Sequence, residues 1–290
     1  MAEQIVKIGL VQRPNSSNPK DNLYGHMGLI RKASEKGAQI VCLQELFNTP
    51  YFCTEYNNEY FDWAEPLDGV LVSSMQNLAE ELEVVIIAPF FERRASGVYH
   101  NSLVVIDADG TKMGCYRKTH IPDDPGFYEK YYFTPGDEDT GFKVFETRYA
   151  SIGTLICWDQ WYPEAARITA MKGAEILFYP TAIGTLATEG KTDKKKFKTA
   201  WETIQCSHAI ANGCYVASVN RVGKEYGSRF WGGSFVAGPF GEMIAQAGNK
   251  EEVLVTACNL GNIEKQRQEW PFFRDRRIDL YAPLTKRVDD

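Results

Sequence analysis

Three residues that are suited to nucleophilic and acid–base chemistry each end a predicted strand. They are Glu45, Lys118 and Cys157. A cysteine thiol becomes a strong nucleophile when a neighbouring base takes its proton, and a lysine ammonium can stabilise a developing oxyanion. Because α/β folds bind ligands at the carboxyl ends of their strands, we expect these three side chains to share one site.

Cys157 is the strongest candidate for the nucleophile. It follows the apolar run 150–156, and a helix is predicted to begin at Pro163. A nucleophile at a strand-to-helix bend lies beside free backbone N–H groups that can hold an oxyanion. A free cysteine is more often a small buried apolar residue. That second interpretation holds for three cysteines inside predicted strands: Cys42, Cys115 and Cys214.

Two kinds of side chain are candidates for the base that activates Cys157. Histidine is the usual partner of a catalytic cysteine, and His120 lies two residues after Lys118. Glu45 is the alternative, because a carboxylate that is desolvated at the end of a buried strand is suited to accept a proton. Taken singly, a glutamate such as Glu45 is more often an ion-paired surface residue, and a lysine such as Lys118 is more often a solvated strand terminus. Together with Cys157 they favour a common site.

Composition and charge exclude several classes of protein. The 290 residues are 44% hydrophobic and 24% charged with a net charge of −6, a globular profile without the basic character that nucleic-acid binding requires. No apolar run approaches the roughly 20 residues of a membrane span. The seven cysteines and four histidines show no metal-ligand spacing. We therefore predict a cytoplasmic protein without a metal site, a nucleic-acid partner or a membrane partner.

The elements that must position the site alternate along the whole chain, which predicts an α/β fold with mixed sheets. Predicted strands lie at 6–12, 39–44, 83–89, 102–107, 113–118, 143–146, 150–157, 175–179, 214–220, 233–237 and 252–258. Predicted helices lie at 20–36, 69–82, 163–172, 194–211 and 263–269. Hairpin turns are expected at Asp109-Gly110 and at 239–242. With no linker or repeat in the chain, we expect one domain over residues 1–290.

Three segments resemble the signature motifs of the nitrilase superfamily, the carbon–nitrogen hydrolases. They are Gln-Glu-Leu-Phe at 44–47, Arg-Lys-Thr-His-Ile-Pro at 117–122 and Cys-Trp-Asp-Gln-Trp-Tyr-Pro-Glu at 157–164. The resemblance implies a four-layer α-β-β-α sandwich and a reaction that needs no metal or organic cofactor. It also implies a homo-oligomer built from dimers, in which the C-terminal tail, about residues 262–290, packs on a neighbouring subunit.

The same resemblance implies roles for individual residues. Glu45, Lys118 and Cys157 correspond to the catalytic triad of the superfamily, and Glu129 corresponds to a second glutamate that positions Lys118 and Glu45. The oxyanion is expected to be held by the Lys118 ammonium and by the backbone N–H of Trp158. A cysteine-bound intermediate follows from these roles.

Within the superfamily, segments 123–133 and 157–161 most resemble the N-carbamoylputrescine amidase family, whose reaction yields putrescine, carbon dioxide and ammonia in putrescine synthesis from agmatine. Relatives that act on N-carbamoyl amino acids carry a basic residue soon after the cysteine, which suits a substrate carboxylate. Gln160 and Trp161 stand there instead, so we expect a small-molecule carbamoyl amine with a cationic far end. Its site is expected to include Tyr51, Phe52, Asp123, Asp124, Tyr128, Trp161, Thr181 and Ala182.

Two alternatives remain open from the sequence. The nearer one is another amidase of the superfamily, of the β-ureidopropionase or ω-amidase type. The other is a non-catalytic scaffold, against which the intact set of Glu45, Lys118 and Cys157 argues.

Overall fold

Two six-stranded mixed sheets form the centre of the protein. The computed structural model describes residues 4–289, with the backbone only at residue 191. The strands are β1 Ile5–Gln12, β2 Ile40–Leu43, β3 Val85–Ala95, β4 Val98–Ile106, β5 Lys112–Arg117, β6 Val144–Glu146, β7 Ser151–Thr154, β8 Ile176–Thr181, β9 Gly184–Leu186, β10 Tyr215–Asn220, β11 Val222–Glu225, β12 Ser228–Trp231, β13 Phe235–Ala237, β14 Met243–Gln246 and β15 Glu252–Asn259. The helices are α1 Pro19–Glu35, α2 Val70–Leu82, α3 Glu129–Tyr132, α4 Pro163–Met171, α5 Lys191–Asn212 and α6 Gly261–Glu269.

The strand order of both sheets combines parallel and antiparallel pairs. The first sheet runs β15-β1-β2-β3-β4-β5 and the second runs β14-β13-β10-β8-β7-β6, while β11-β12-β9 form a small third sheet. Strands β1, β2 and β3 are parallel, as are β7, β8 and β10, and the remaining pairs are antiparallel. The prediction of mixed sheets is confirmed.

Side chains on β2 show how the layers are built. Ile40 and Cys42 pack into the core shared by the two large sheets, whereas Val41 and Leu43 pack into the core beneath α1 and α2. This alternation follows from the two-residue period of a strand, and burial on both faces explains why the run is apolar throughout. On the other side, α4 and α5 cover the second sheet. The layers are therefore α-β-β-α, as predicted.

The apolar residues Leu23, Met27, Ile30 and Ala33 of helix α1 fall on one face in the sequence, and all four pack against the core beneath α1 and α2, but polar residues are buried beside them. Its buried residues are Asn22, His26, Ile30 and Ala33, whereas Leu23 and Met27, expected on the core face, are only partly buried. Contacts of the two polar residues explain their burial. The Asn22 side chain donates to the backbone carbonyl of Asn48 at 3.3 Å, and the centroid of the His26 ring lies 5.1 Å from that of the Phe47 ring. These contacts join α1 to the loop that follows Glu45.

Most predicted elements are confirmed, with differences at their ends. The expected hairpins connect β4 to β5 and β13 to β14. The strand predicted over 150–157 ends at Thr154, and four short strands, β9, β11, β12 and β14, were not predicted because hairpin strands of three or four residues leave too few positions for a periodic pattern. Within residues 4–289, none of the helices is long and apolar enough to cross a membrane.

Candidate active site

The structure brings Glu45, Lys118 and Glu129 into direct contact. Lys118 Nζ lies 2.9 Å from Glu45 Oε1 and 2.6 Å from Glu129 Oε2. All three side chains are buried, and buried charges require such pairing. Cys157 is 7% exposed and lies close enough for the charges of this cluster to act on its thiol. The four residues predicted from separate segments therefore occupy one place.

The strand ends position these side chains. Glu45 comes two residues after β2 and Lys118 comes directly after β5, so both project from the same edge of the first sheet. The backbone N–H of Lys118 still donates to the carbonyl of Asn101 on β4 at 2.8 Å, which fixes the start of its side chain. Glu129 is the first residue of the short helix α3.

One oxygen of Glu45 is held and the other is free. Oε1 accepts hydrogen bonds from Lys118 Nζ and, at 2.7 Å, from the side-chain amide of Asn101. Oε2 is buried and has no hydrogen-bond partner among residues 4–289. A fixed carboxylate with one unpaired oxygen is the geometry that a general base needs.

The backbone around Glu45 is fixed by a buried arginine. Arg221 donates to the carbonyl of Glu45 at 2.7 Å and to that of Leu46 at 3.0 Å, and it pairs with Glu225 at 2.5 Å. Leu46 has a φ of +48°, in the left-handed region that non-glycine residues rarely adopt. Glu225 in turn accepts the backbone N–H of Tyr51 at 2.6 Å. Arg221 thus holds the loop that aims Glu45.

Cys157 lies at a sharp strand-to-helix bend. It is the first residue of a 3₁₀ turn over Cys157–Trp161, and its φ of +42° is also left-handed. Strain of this kind costs about 1–3 kcal/mol and persists where surrounding contacts impose it. The backbone N–H of Trp158, at the start of the turn, has no carbonyl within the turn to pair with. Helix α4 begins at Pro163, as predicted.

The charges of the cluster are set by burial and by mutual contact. Burial alone lowers the pKa of Lys118, but the carboxylates of Glu129 and Glu45 raise that pKa well above its usual value. Burial raises the pKa of Glu129 to about 6, against the opposing effect of Lys118. Lys118 is therefore cationic at neutral pH, and Glu129 changes its charge close to that pH.

The Cys157 thiol is neutral in the resting protein. Burial, with the Glu45 charge as the next cause, raises the pKa of Cys157 well above its usual value, while Lys118 and a hydrogen bond from the Ala182 backbone oppose the shift. A neutral thiol of this kind can act as a nucleophile only if its proton is removed as the new bond forms. Glu45 is the carboxylate whose charge acts most strongly on this thiol, which makes it the candidate base.

A cavity of about 510 Å³ opens onto Cys157 and Trp158. Of the residues predicted to bind substrate, four lie on its wall: Tyr51, Asp124, Trp161 and Ala182. The Tyr51 hydroxyl also donates to Glu129 Oε1 at 2.8 Å. Further wall residues that the sequence did not suggest include Phe127, Leu186, Glu189 and Phe197.

The other four predicted residues do not lie on this wall. The Tyr128 ring packs against Tyr56 at 4.9 Å, and the Thr181 hydroxyl is buried and donates to the carbonyl of Tyr179 at 3.1 Å. Phe52 is buried in an aromatic cluster, and Asp123 is exposed to solvent. Adjacency in sequence to a catalytic residue therefore did not predict contact with the cavity, because alternate side chains turn away from it.

Gln160 is one of the two residues, with Trp161, in the stretch where relatives that act on N-carbamoyl amino acids are expected to carry a basic residue. Its Oε1 accepts Trp201 Nε1 and Gln205 Nε2, each at 2.9 Å, so α5 fixes the side chain. Asn101, Asp159 and Arg221 also contact the site residues or their loops, and the sequence did not single them out. Asp159 lies within the 157–164 motif, but nothing in that motif indicated its contact with the segment that follows Lys118.

Comparison with known proteins identifies the family of this chain. The model of the carbon-nitrogen hydrolase family matches residues 7–268. An N-carbamoylputrescine amidase from Solanum lycopersicum is 48% identical, covering 98% of this chain and 97% of the relative, and a citrullinase from Francisella tularensis is 41% identical, covering 97% and 99%. The crystal structure of a carbon-nitrogen hydrolase from Helicobacter pylori G27 superimposes with a TM-score of 0.94 at 46% identity, covering 98% of this chain and 100% of that one. The chain belongs to the carbon–nitrogen hydrolases of the nitrilase superfamily.

Proposed function

We propose that this protein is an N-carbamoylputrescine amidase, which converts N-carbamoylputrescine and water to putrescine, carbon dioxide and ammonia. The observation that carries the proposal is the cavity wall above Cys157. Among the lining side chains that the structure describes, none belongs to lysine or arginine, whereas Asp124 and Glu189 are acidic. Such a wall suits a substrate that ends in an ammonium group. The name of the Solanum lycopersicum relative supports the same substrate.

The first step forms a bond between Cys157 Sγ and the ureido carbon. Glu45 Oε2 takes the thiol proton as the bond forms, and the carbonyl oxygen becomes an oxyanion. The Lys118 ammonium and the backbone N–H of Trp158 donate hydrogen bonds to that oxygen. A donor of this kind contributes about 3–4 kcal/mol to a transition state from which water is excluded.

The second step breaks the carbon–nitrogen bond. Protonated Glu45 gives its proton to the departing amino group, ammonia leaves, and an N-alkyl thiocarbamate remains on Cys157. Glu45 then takes a proton from water, and the hydroxide adds to the same carbon. When the carbon–sulfur bond breaks, Glu45 returns the proton to Cys157. The released carbamate loses carbon dioxide to give the amine.

Glu129 supports these steps through Lys118. Two carboxylates on one ammonium leave the cluster with an excess of negative charge, so Lys118 does not fully offset the charge of Glu45. Because one carboxylate acts alternately as base and acid, its fixed position between Asn101 and Lys118 matters in every step.

The far end of the substrate is proposed to bind between carboxylates and aromatic rings. Asp124 and Glu189 offer anionic oxygens, and Phe127 and Trp161 offer ring faces. A cation over an aromatic face contributes about 0.5–2 kcal/mol. Citrulline also carries an ammonium at this end, but, like the N-carbamoyl amino acids, it carries a carboxylate as well, which would lie beside Asp124 and Glu189 without a lysine or arginine from the described wall.

A panel of ureido compounds tests the substrate assignment. Ammonia release is measured with N-carbamoylputrescine, with N-pentylurea, in which a methyl replaces the ammonium, and with 5-ureidopentanoate and citrulline. We expect kcat/KM to be at least tenfold lower for the last three, about 1.4 kcal/mol. Glu189→Gln should lower kcat/KM for N-carbamoylputrescine and leave N-pentylurea unchanged. Equal turnover of N-carbamoylputrescine and a ureido acid contradicts the proposal and favours the β-ureidopropionase or ω-amidase alternative.

The C-terminal tail supports the proposal of a homo-oligomer. Ile278, Leu280 and Leu284 are 72%, 62% and 64% exposed, and Trp270 is 52% exposed. Apolar side chains clustered at the surface mark an interaction site, and we propose that a second copy covers them. Light scattering at micromolar concentration should report a species larger than a monomer. A stable monomer contradicts this proposal.

The remaining proposals concern organisation and location. We propose a single domain over residues 1–290, in which the tail from about residue 262 packs on a neighbouring subunit. The seven cysteines are all free thiols, which suits a reducing compartment and supports the cytoplasmic prediction. Ammonia release from any member of the panel contradicts the non-catalytic alternative.

A further inference from the structure

Asp159 joins the segment that follows Lys118 to the turn that carries Cys157. Its carboxylate is fully buried. Oδ1 accepts the backbone N–H of His120 at 3.0 Å and is 2.7 Å from His120 Nδ1. Oδ2 accepts the backbone N–H of Ile156 at 2.9 Å and the Tyr116 hydroxyl at 2.6 Å. One carboxylate is therefore bonded to both segments.

The two backbone contacts lie next to the reacting groups. His120 is two residues after Lys118, and Ile156 is directly before Cys157. The left-handed φ of Cys157 requires neighbouring contacts that impose it, and the Ile156–Asp159 bond closes the turn in which it occurs. On the other side, the His120 ring stacks on Tyr162 at 3.6 Å, which fixes the position of His120.

We propose that Asp159 is a positioning residue that fixes the distance and orientation of the Cys157 thiol and the Trp158 N–H relative to the Lys118 ammonium. Asp159 does not line the cavity, so it acts through the backbone and not on the substrate. Misplacement of reacting groups by about 1 Å lowers a rate by about 10²-fold. The inference rests on the proposed function for its kinetic test, but it also predicts the reactivity of Cys157 in the absence of turnover.

The substitution Asp159→Asn separates this role from simple filling of space. The two backbone N–H donors bond to different oxygens and cannot be turned into acceptors. An asparagine has one oxygen and one NH₂ group, so in either orientation one backbone N–H faces another donor. Tyr116→Phe removes a side-chain donor from Asp159 and keeps both backbone bonds, which makes it the matched control.

The experiment compares kcat and KM for N-carbamoylputrescine, the rate of Cys157 alkylation by iodoacetamide, and the melting temperature. For Asp159→Asn we expect kcat to fall by at least about 10²-fold with KM within threefold, and alkylation to slow at least tenfold. For Tyr116→Phe we expect less than a tenfold loss of kcat. An Asp159→Asn protein that is folded at the assay temperature and keeps its kcat and its alkylation rate within threefold overturns the proposal.

Two further comparisons keep the outcome decisive. If Asp159→Asn does not fold, Tyr116→Phe, which retains both backbone bonds and the stacking of His120 on Tyr162, should keep kcat and the alkylation rate within about tenfold, and a loss of 10²-fold overturns the proposal. If the wild-type protein does not hydrolyse N-carbamoylputrescine, the proposed function fails. The alkylation rates then still test Asp159.

Discussion

The substitution Glu129→Gln removes a charge from the cluster and keeps its shape. A glutamine can accept from Lys118 Nζ through its oxygen while its NH₂ group donates to the Tyr51 hydroxyl, so both contacts seen at 2.6 and 2.8 Å have a counterpart. Without the second carboxylate, Glu45 alone balances Lys118 and becomes a weaker base. General-base catalysis contributes about 10²–10⁴-fold, so we expect kcat to fall by about 10²-fold.

The thermal stability of the Glu129→Gln variant should not decrease, although its kcat does. Burial raises the pKa of Glu129 from 4.5 to about 6, so the folded state binds this proton more tightly than the unfolded state. A carboxyl whose pKa is raised in the folded state stabilises the fold at low pH, and this contribution is lost as the pH rises from about 4.5 through 6. The difference of 6 − 4.5 = 1.5 corresponds to about 2 kcal/mol at pH 7, which a neutral glutamine avoids. We therefore expect the variant to melt no lower than the wild type at pH 7.5.

The pH dependence provides the decisive assay. As the pH falls through about 6, Glu129 becomes protonated and resembles glutamine, so kcat/KM of the wild type should decline there. The decline near pH 6 should be absent from the variant, whose rate should match the low-pH rate of the wild type. A variant within threefold of the wild type at pH 7.5, with the same decline near pH 6, refutes the role given to Glu129.

Glu92→Gln is the matched control for this experiment. Glu92 is buried and pairs with Arg117 at 2.6 Å. Although burial opposes the shift, hydrogen bonds from Arg117 and Ser102 lower the pKa of Glu92, so its charge stabilises the fold above the unfolded-state pKa and this contribution is lost as the pH falls. Glu92→Gln should therefore melt lower than the wild type at pH 7.5 and keep its activity per folded molecule.

Two further predictions concern reagents and stability. The second cysteine reagent test uses a Cys206→Ser background, because Cys206 is more exposed than the other six cysteines. Iodoacetamide should label Cys157 at least tenfold faster than iodoacetate, because the described cavity wall is acidic. Peptide mass spectrometry measures both labelling rates, and equal rates contradict the prediction. Arg221→Met should lower the free energy of unfolding by about 3–5 kcal/mol, since it leaves the Glu225 carboxylate buried without its cation; a change below 1 kcal/mol in chemical denaturation contradicts it.

The sequence predicted the fold class and the residues of the central cluster because both leave local signals. Apolar runs of fixed period mark the strands, and Glu45, Lys118 and Cys157 each follow one of them. The family resemblance added Glu129 and the order of the layers. The structure then placed Glu45, Lys118 and Glu129 in direct contact, with Cys157 close enough for their charges to act on its thiol.

The residues that support the cluster left no such signal. Arg221 contacts the Glu45 loop across 176 positions of sequence, and Asp159 contacts His120 across 39. Such contacts depend on how the two sheets pack, which a periodic pattern does not encode. The same holds for Glu189, which reaches the cavity from the connection between β9 and α5, and for Phe197, which reaches it from α5. The apolar face of α1 was predicted, but the burial of Asn22 and His26 was not, because it depends on hydrogen bonds and ring packing that hydrophobicity alone does not detect.

The central claim is that Cys157 hydrolyses N-carbamoylputrescine, and ammonia release from that compound by wild-type and Cys157→Ala proteins tests it most directly. Circular dichroism and melting temperature establish that both are folded. The wild type should release ammonia and putrescine in equal amounts, and the variant should be slower by at least about 10⁴-fold, the scale on which loss of a nucleophile acts. A variant within tenfold of the wild type, or a wild type that leaves N-carbamoylputrescine intact while hydrolysing a ureido acid, contradicts the account.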